Sequence, residues 1–217
     1  MILRQLFDYD THSYTYLLGC DKTGEAALID PVFTNIDHYL QLMNELGLTL
    51  KAVLGTRSDK KLEIALSALH KRTQCLVSAG NKTDASGINE GLEDGGLVMI
   101  GALDISVVYT PGHTKDSYCF HVSVDGNGLL FSGDTLLIRG VGDMRTSNSD
   151  AGQLFDSLHS KLLFLPGHTI LCPGHDYQGN TVSNMAEESA HNPCLQVKER
   201  VDFIQFMANY QNVKDAL

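Results

Sequence analysis

The residues of this 217-residue chain best suited to chemistry gather around a repeated tripeptide, Pro111-Gly112-His113, Pro166-Gly167-His168 and Pro173-Gly174-His175, which uses three of the five prolines. A strand that ends in Pro-Gly sets the next side chain on a tight, rigid loop at a sheet edge, a setting that suits a ligand held in one place. The same signature fits an ordinary turn. Asp134, in Phe131-Ser-Gly-Asp-Thr, also follows a strand-like run and can face the same rim as His113 and His175. Two imidazoles and a carboxylate suffice to ligate one divalent transition metal, iron or zinc, in a facial arrangement. Metal-free chemistry would fall to Tyr177, Asp176 or a cysteine, but no cysteine has a histidine at a spacing that would activate it. Neither Gly-x-Gly-x-x-Gly nor a Walker motif occurs, so no nucleotide cofactor is implied.

These residues need elements to position them. Tyr14-Thr-Tyr-Leu-Leu and Ala26-Ala-Leu-Ile-Asp-Pro predict an opening β-meander. Thr34, with Asp37 as a capping partner, predicts the start of a helix that presents Ile36, Tyr39, Leu40 and Met43 on one face and ends at Gly47. Leu50 to Leu54 reads as a buried strand that delivers the chain to Gly55-Thr56, and Leu62 to Leu69 as the helix after it. A strand follows at 74–78, and the Gly- and Asn-rich stretch 79–96 reads as loop. Strands are expected at 97–100, 103–109, 118–124, 128–132 and 169–172, and helices at 151–163, 181–190 and 198–209. Mixed strands flanked by helices predict an α/β (α+β) chain, a sandwich of two sheets with helices outside. It reads as a single domain over 1–217, the C-terminal helices from about 181 packed on it.

At 43% apolar residues the chain can bury a sizeable core. Sixteen Lys and Arg against 26 Asp and Glu leave a net charge of −10, which repels phosphate backbones and anionic membranes. Nucleic-acid and membrane partners are therefore not expected; a small molecule is, and an exposed sheet edge or the C-terminal helix can support a homodimer. The five cysteines (Cys20, Cys75, Cys119, Cys172, Cys194) are dispersed and read as free thiols in a reducing compartment. With no apolar stretch of signal-peptide length at the N-terminus, the chain reads as soluble, unprocessed and cytoplasmic.

Tyr14-Thr-Tyr-Leu-Leu, Leu28-Ile-Asp-Pro, Thr110-Pro-Gly-His-Thr, Ser132-Gly-Asp-Thr-Leu-Leu-Ile-Arg-Gly and Gly174-His-Asp-Tyr-Gln-Gly-Asn-Thr-Val-Ser, with Glu187-Glu188 and Asn192-Pro193, resemble the metallo-β-lactamase superfamily. Within it they look most like the persulfide dioxygenase branch, kin of glyoxalase II, in register from about Leu3 to Leu195. The resemblance implies an αββα sandwich with its site at one edge of the paired sheets, and iron-dependent oxidation of glutathione persulfide to sulfite and glutathione, a reaction of sulfur metabolism. It assigns metal-ligand positions to His113, Asp134 and His175.

The departure lies at the superfamily's main metal motif, His-x-His-x-Asp-His, expected after Thr56. This chain reads Thr56-Arg-Ser-Asp-Lys-Lys-Leu, so Arg57, Asp59, Lys61 and Leu62 occupy the four ligand positions without a gap. Arginine keeps its proton and has no lone pair, so Arg57 cannot ligate. A second departure follows Arg139-Gly140, where the branch continues Cys-Gly-Arg-Thr-Asp-Phe and this chain has Val141-Gly-Asp-Met-Arg-Thr. Arg139, Arg145 and Tyr177 are then expected to line the pocket, with Arg145 a spatial substitute for the missing arginine. Two readings follow. In the first, the chain is a catalytically degenerate member with no cofactor, a retained pocket for a thiol or anion, and an Arg57–Asp134 contact in place of the ion. In the second, His113, Asp134 and His175 hold one divalent metal in an active sulfur dioxygenase or a glyoxalase II-like thioester hydrolase.

Overall fold

A computed structural model describes residues 1–57, 59–80, 90–124 and 126–214. Two six-stranded sheets face each other. The first runs in sequence order, β1 (Ile2–Asp8), β2 (Ser13–Gly19), β3 (Glu25–Ile29), β4 (Thr49–Leu54), β5 (Leu76–Gly80) and β6 (Glu90–Leu92). Its first three strands form the antiparallel meander; from β3 onward the pairing is parallel, with helices carrying the chain back between β3 and β4 and between β4 and β5. The second sheet has the order β12 (Ser183–Asn184), β11 (Ile170–Pro173), β10 (Asn127–Gly133), β9 (Tyr118–Val124), β8 (Leu103–Tyr109), β7 (Leu97–Ile100). Only β10 and β11 pair in parallel, with α3 (Ala151–Ser160) in the crossover.

The alternation of side chains along a strand divides the core into three layers. Tyr16, Leu18, Leu54, Ile105, Phe120 and Phe131 point inward and fill the space between the sheets. Their neighbours Leu17, Leu28 and Val53 point outward, under α1 (Ile36–Glu45) and α2 (Lys60–Thr73), which contribute Tyr39, Met43, Leu66 and Leu69. On the far side, Leu130 and Leu171 meet Leu154 and Leu158 of α3 and Phe203 and Met207 of the C-terminal helix (Arg200–Lys214). Among the described residues no helix is long and apolar enough to cross a membrane.

Three sequence expectations change at element boundaries. The helix expected from Thr34 begins as a 3₁₀ turn, Phe33–Asn35, and α1 starts at Ile36; Asn35 makes no cap, its amide donating instead to Asp8 at 2.8 Å. Stretch 79–96 contains the last residues of β5 and the edge strand β6, while 81–89 lie outside the described residues. The helix expected from 181 begins only at α4 (Met185–His191), since Ser183–Asn184 pair with β11 and the Asn184 side chain caps the helix by accepting from Glu187 N at 2.9 Å. Glu188 of α4 is fully buried and accepts from Arg139 N (2.8 Å), Arg139 Nη1 (2.5 Å), Ser183 Oγ (2.5 Å) and Asn192 Nδ2 (2.9 Å). This satisfied network ties the loop after β10 to the helices behind it.

Candidate functional site

Four loops meet at one edge of the sandwich, each leaving the C-terminal end of a strand: Gly55–Arg57 after β4, Thr110–His113 after β8, Asp134 after β10 and Gly174–His175 after β11. Backbone bonds lock them together. Tyr118 N donates to Thr56 O at 2.7 Å, Gly174 N to Gly133 O at 2.7 Å, and Tyr14 N to Gly174 O at 2.8 Å. Gly133 has φ +52°, and a Cβ there would lie 2.3 Å from Thr56 Oγ1. Only glycine lets the two sheets' loops approach so closely. Asp30 fixes the same corner from beneath, its carboxylate accepting from Thr56 N (2.8 Å) and Thr56 Oγ1 (2.6 Å).

The centre is the Asp134 carboxylate, 8% exposed. Its Oδ2 accepts from Arg57 Nη1 at 2.9 Å and lies 3.4 Å from His113 Nε2; its Oδ1 is 2.5 Å from His175 Nδ1. Burial works against the charge of Asp134. Arg57, and then the His175 hydrogen bond, outweigh it and hold the carboxyl well below the usual carboxylate range. His175 Nδ1 faces this carboxylate, and its Nε2 lies 3.1 Å from Ser13 Oγ. The Tyr177 ring stacks parallel to His175, 5.7 Å between centroids.

Arg57 also pairs with Asp59 through Nε at 3.2 Å. Desolvation disfavours its charge, but Asp134, Asp30 and Asp59 together push its pKa above the ordinary arginine value, so the guanidinium is a fixed cation. The four positions that the resemblance aligns with the metal motif carry four different tasks. Arg57 neutralises Asp134; Asp59 caps α2 by accepting from Lys61 N and Leu62 N at 2.9 Å; Lys61 is exposed on the rim; Leu62, 7% exposed, packs with Leu66 and Leu69.

The expected pocket residues divide. Tyr177 stacks on His175 and with Arg139 lines a small recess beside it, while the Arg139 guanidinium pairs with Glu187 and Glu188. Arg145 forms a half-exposed pair with Asp143, Nη2 to Oδ2 at 2.7 Å, and is not among the residues lining the cleft in front of Arg57. That cleft has a volume of about 610 Å³ and is walled by Ser13, Asp30, Phe33, Arg57, Lys61 and His175. The tripeptide Pro166-Gly167-His168 makes an ordinary turn, His168 Nε2 bonding Gly126 O at 2.8 Å, away from the site. Sequence reasoning missed Ser13 and Asp30. Ser13 lies 162 residues from His175, and no local pattern marks it.

As arranged, the side chains around Asp134 are engaged mainly with one another. Both ring nitrogens of His175 and both oxygens of Asp134 face other groups, one of them a cation without a lone pair. Among the described residues no group of three or more His, Cys, Asp or Glu side chains is disposed to hold a metal.

Burial, and then Arg57, depress the pKa of His113 below its ordinary value, and burial does the same to His121 and His159. Such histidines bind protons less readily in the folded chain than after unfolding, so unfolding gains as pH falls below about 6.5. The free energy of unfolding is expected to decline between about pH 7 and 5, measured by urea denaturation. His113→Gln should flatten part of that slope; an unchanged slope counts against a neutral buried His113.

The profile of the metallo-beta-lactamase superfamily matches residues 55–175, from the glycine before Arg57 to His175. The chain is 34% identical over 195 residues to the mitochondrial persulfide dioxygenase ETHE1 of Bos taurus, covering 90% of this chain and 76% of that one. To a probable hydroxyacylglutathione hydrolase of Schizosaccharomyces pombe it is 32% identical over 182 residues, covering 82% and 68%. The crystal structure of ETHE1 from Myxococcus xanthus superposes with a TM-score of 0.89 at 41% identity, over 97% of this chain and 91% of that one. With its two-sheet, single-domain fold matched across nearly its whole length, the chain belongs to the metallo-beta-lactamase superfamily, and persulfide dioxygenases and glyoxalase II-like hydrolases are its close homologues.

Proposed function

We propose that this protein is a persulfide dioxygenase-like member that has lost its metal-dependent chemistry and keeps the edge cleft to bind a small thiol or anion. One observation carries the reading: the Arg57 guanidinium bonds Asp134 at 2.9 Å, so a fixed positive charge neutralises the carboxylate a cation would need. The homologues' names supply the ligand class, since persulfides and acylglutathiones are sulfur compounds. Arg57, Lys60 and Lys61 on the cleft wall supply charge for an anionic group, within a chain whose net charge is −10. Five free, buried cysteines support a reducing compartment, the cytoplasm.

Elemental analysis of protein purified from cells supplied with iron and zinc tests the reading. The expected content is far below one equivalent, with glutathione binding weakened by salt and by Lys60→Ala/Lys61→Ala. Stoichiometric metal overturns it. The convergence of His113 and His175 on Asp134, within 3.4 and 2.5 Å, favours the second reading, a mononuclear enzyme in which Arg57 swings aside. Chelator-sensitive oxygen uptake with a persulfide, or chelator-sensitive thioester hydrolysis, would establish that alternative.

A further inference from the structure

The geometry points to a metal-independent acyl hydrolase site in which Ser13 is the nucleophile, His175 its general base and Asp134 the positioning residue. The inference rests on the metal-free reading above, since His175 can serve Ser13 only while its Nε2 is not ligating. Asp134 Oδ1 lies 2.5 Å from His175 Nδ1, and His175 Nε2 lies 3.1 Å from Ser13 Oγ. This is the relation of acid, imidazole and hydroxyl that activates a serine, recognised by geometry rather than by chain order.

The backbone enforces it. Ser13 and His175 form an isolated antiparallel bridge between the two sheets' loops, with Tyr14 N donating to Gly174 O at 2.8 Å and Asp176 N to His12 O at 3.1 Å. Bonds flanking the pair on both sides make it a non-hydrogen-bonded pair, in which directly opposed side chains come closest. His12, just before the serine, has φ +54°, a left-handed turn that sets the start of β2 against the β11 loop. Tyr177 stacked on the imidazole holds its plane, and Arg57 and His113 on the far oxygen of Asp134 keep the carboxylate oriented.

Ser13 and His175 both open onto the 610 Å³ cleft, beside Arg57, Lys60 and Lys61. These cations suit a developing oxyanion and an anionic substituent, so the substrate class is a small ester or thioester that carries a carboxylate. Ser13 Oγ attacks the acyl carbon while its proton passes to His175 Nε2. The bond to the leaving alcohol or thiol breaks, and that group takes the proton from His175. Water, deprotonated by the same nitrogen, then releases the acid and restores Ser13.

The full chain, stripped of metal with EDTA, is treated with diisopropyl fluorophosphate and mapped by mass spectrometry. A single adduct on Ser13 is expected, absent from Ser13→Ala and lost from His175→Gln. Hydrolysis of the mono(4-nitrophenyl) ester of glutaric acid should fall about 100-fold or more in Ser13→Ala, with an unchanged melting temperature. Ser13→Cys should be alkylated by iodoacetamide at position 13 ahead of the five buried cysteines. An unlabelled Ser13, or hydrolysis indifferent to Ser13→Ala, overturns the assignment. Stoichiometric metal with EDTA-sensitive turnover defeats this inference and the metal-free reading together; a metal-free chain with Ser13 unlabelled defeats this inference alone.

Discussion

Replacing Asp134 by asparagine should lower stability by about 2–3 kcal/mol at neutral pH, because it leaves Arg57 a partly buried cation whose main counter-charge is gone. The pair is not exposed in the manner of surface ion pairs, which contribute less than about 1 kcal/mol: Asp134 is 8% and Arg57 20% accessible. Asp59 remains on Arg57 Nε at 3.2 Å, which keeps the loss below that of a wholly orphaned charge. For a domain of this size the change corresponds to a fall of roughly 5–10 °C in melting temperature. Its pH dependence is part of the expectation. The carboxyl is depressed in the folded state, so its contribution is present above the unfolded value near pH 4 and is lost as pH falls through the folded value. The gap between wild type and Asp134→Asn should hold from pH 8 to 5 and close only under strong acid. A double-mutant cycle of Arg57→Met with Asp134→Asn isolates the pair; a coupling within about 0.5 kcal/mol of zero would show that Arg57 does not replace a counter-ion.

Restoring the superfamily motif, with Arg57→His, Asp59→His, Lys61→Asp and Leu62→His together, should recover binding of one divalent metal and destabilise the unloaded protein. The losses follow from the tasks these positions have taken on. Removing the Asp59 cap, which serves two backbone N–H groups of α2, costs about 1 kcal/mol. An imidazole in place of buried Leu62 costs roughly 2–4 kcal/mol more through lost packing and a desolvated ring. Removing Arg57 strips Asp134 of its counter-charge until an ion arrives. Unfolding without metal should therefore move down by several kcal/mol, and iron or zinc should raise it again by linkage. Calorimetry with and without metal measures both terms. A quadruple variant that folds but takes no metal would overturn the expectation that His113, Asp134 and His175 remain competent partners. The single variant Arg57→His should already remove the cation and leave α2 intact.

The single domain, the sandwich and most of its elements were legible in the chain, because alternation along strands and the 3.6-residue period along helices are local properties of sequence. The boundaries at Thr34 and at 181–184 were not. A 3₁₀ turn and a two-residue edge strand depend on partners far away, Asp8 in one case and β11 in the other. That Arg57 cannot ligate was likewise legible, since arginine keeps its proton and has no lone pair. What Arg57, Asp59 and Leu62 do instead differs with depth: an ion pair at the floor of the cleft, a helix cap at its lip, a core contact behind it. Types and order along the chain fixed what each side chain could donate, accept or ligate. Only the packing of two sheets, which brings Ser13 and His175 together across 162 positions and sends Arg139 and Arg145 to other carboxylates, decided which of those capacities meet. The physical reason is that a hydrogen bond or ion pair acts over a few ångströms of space, a separation that only the tertiary fold sets.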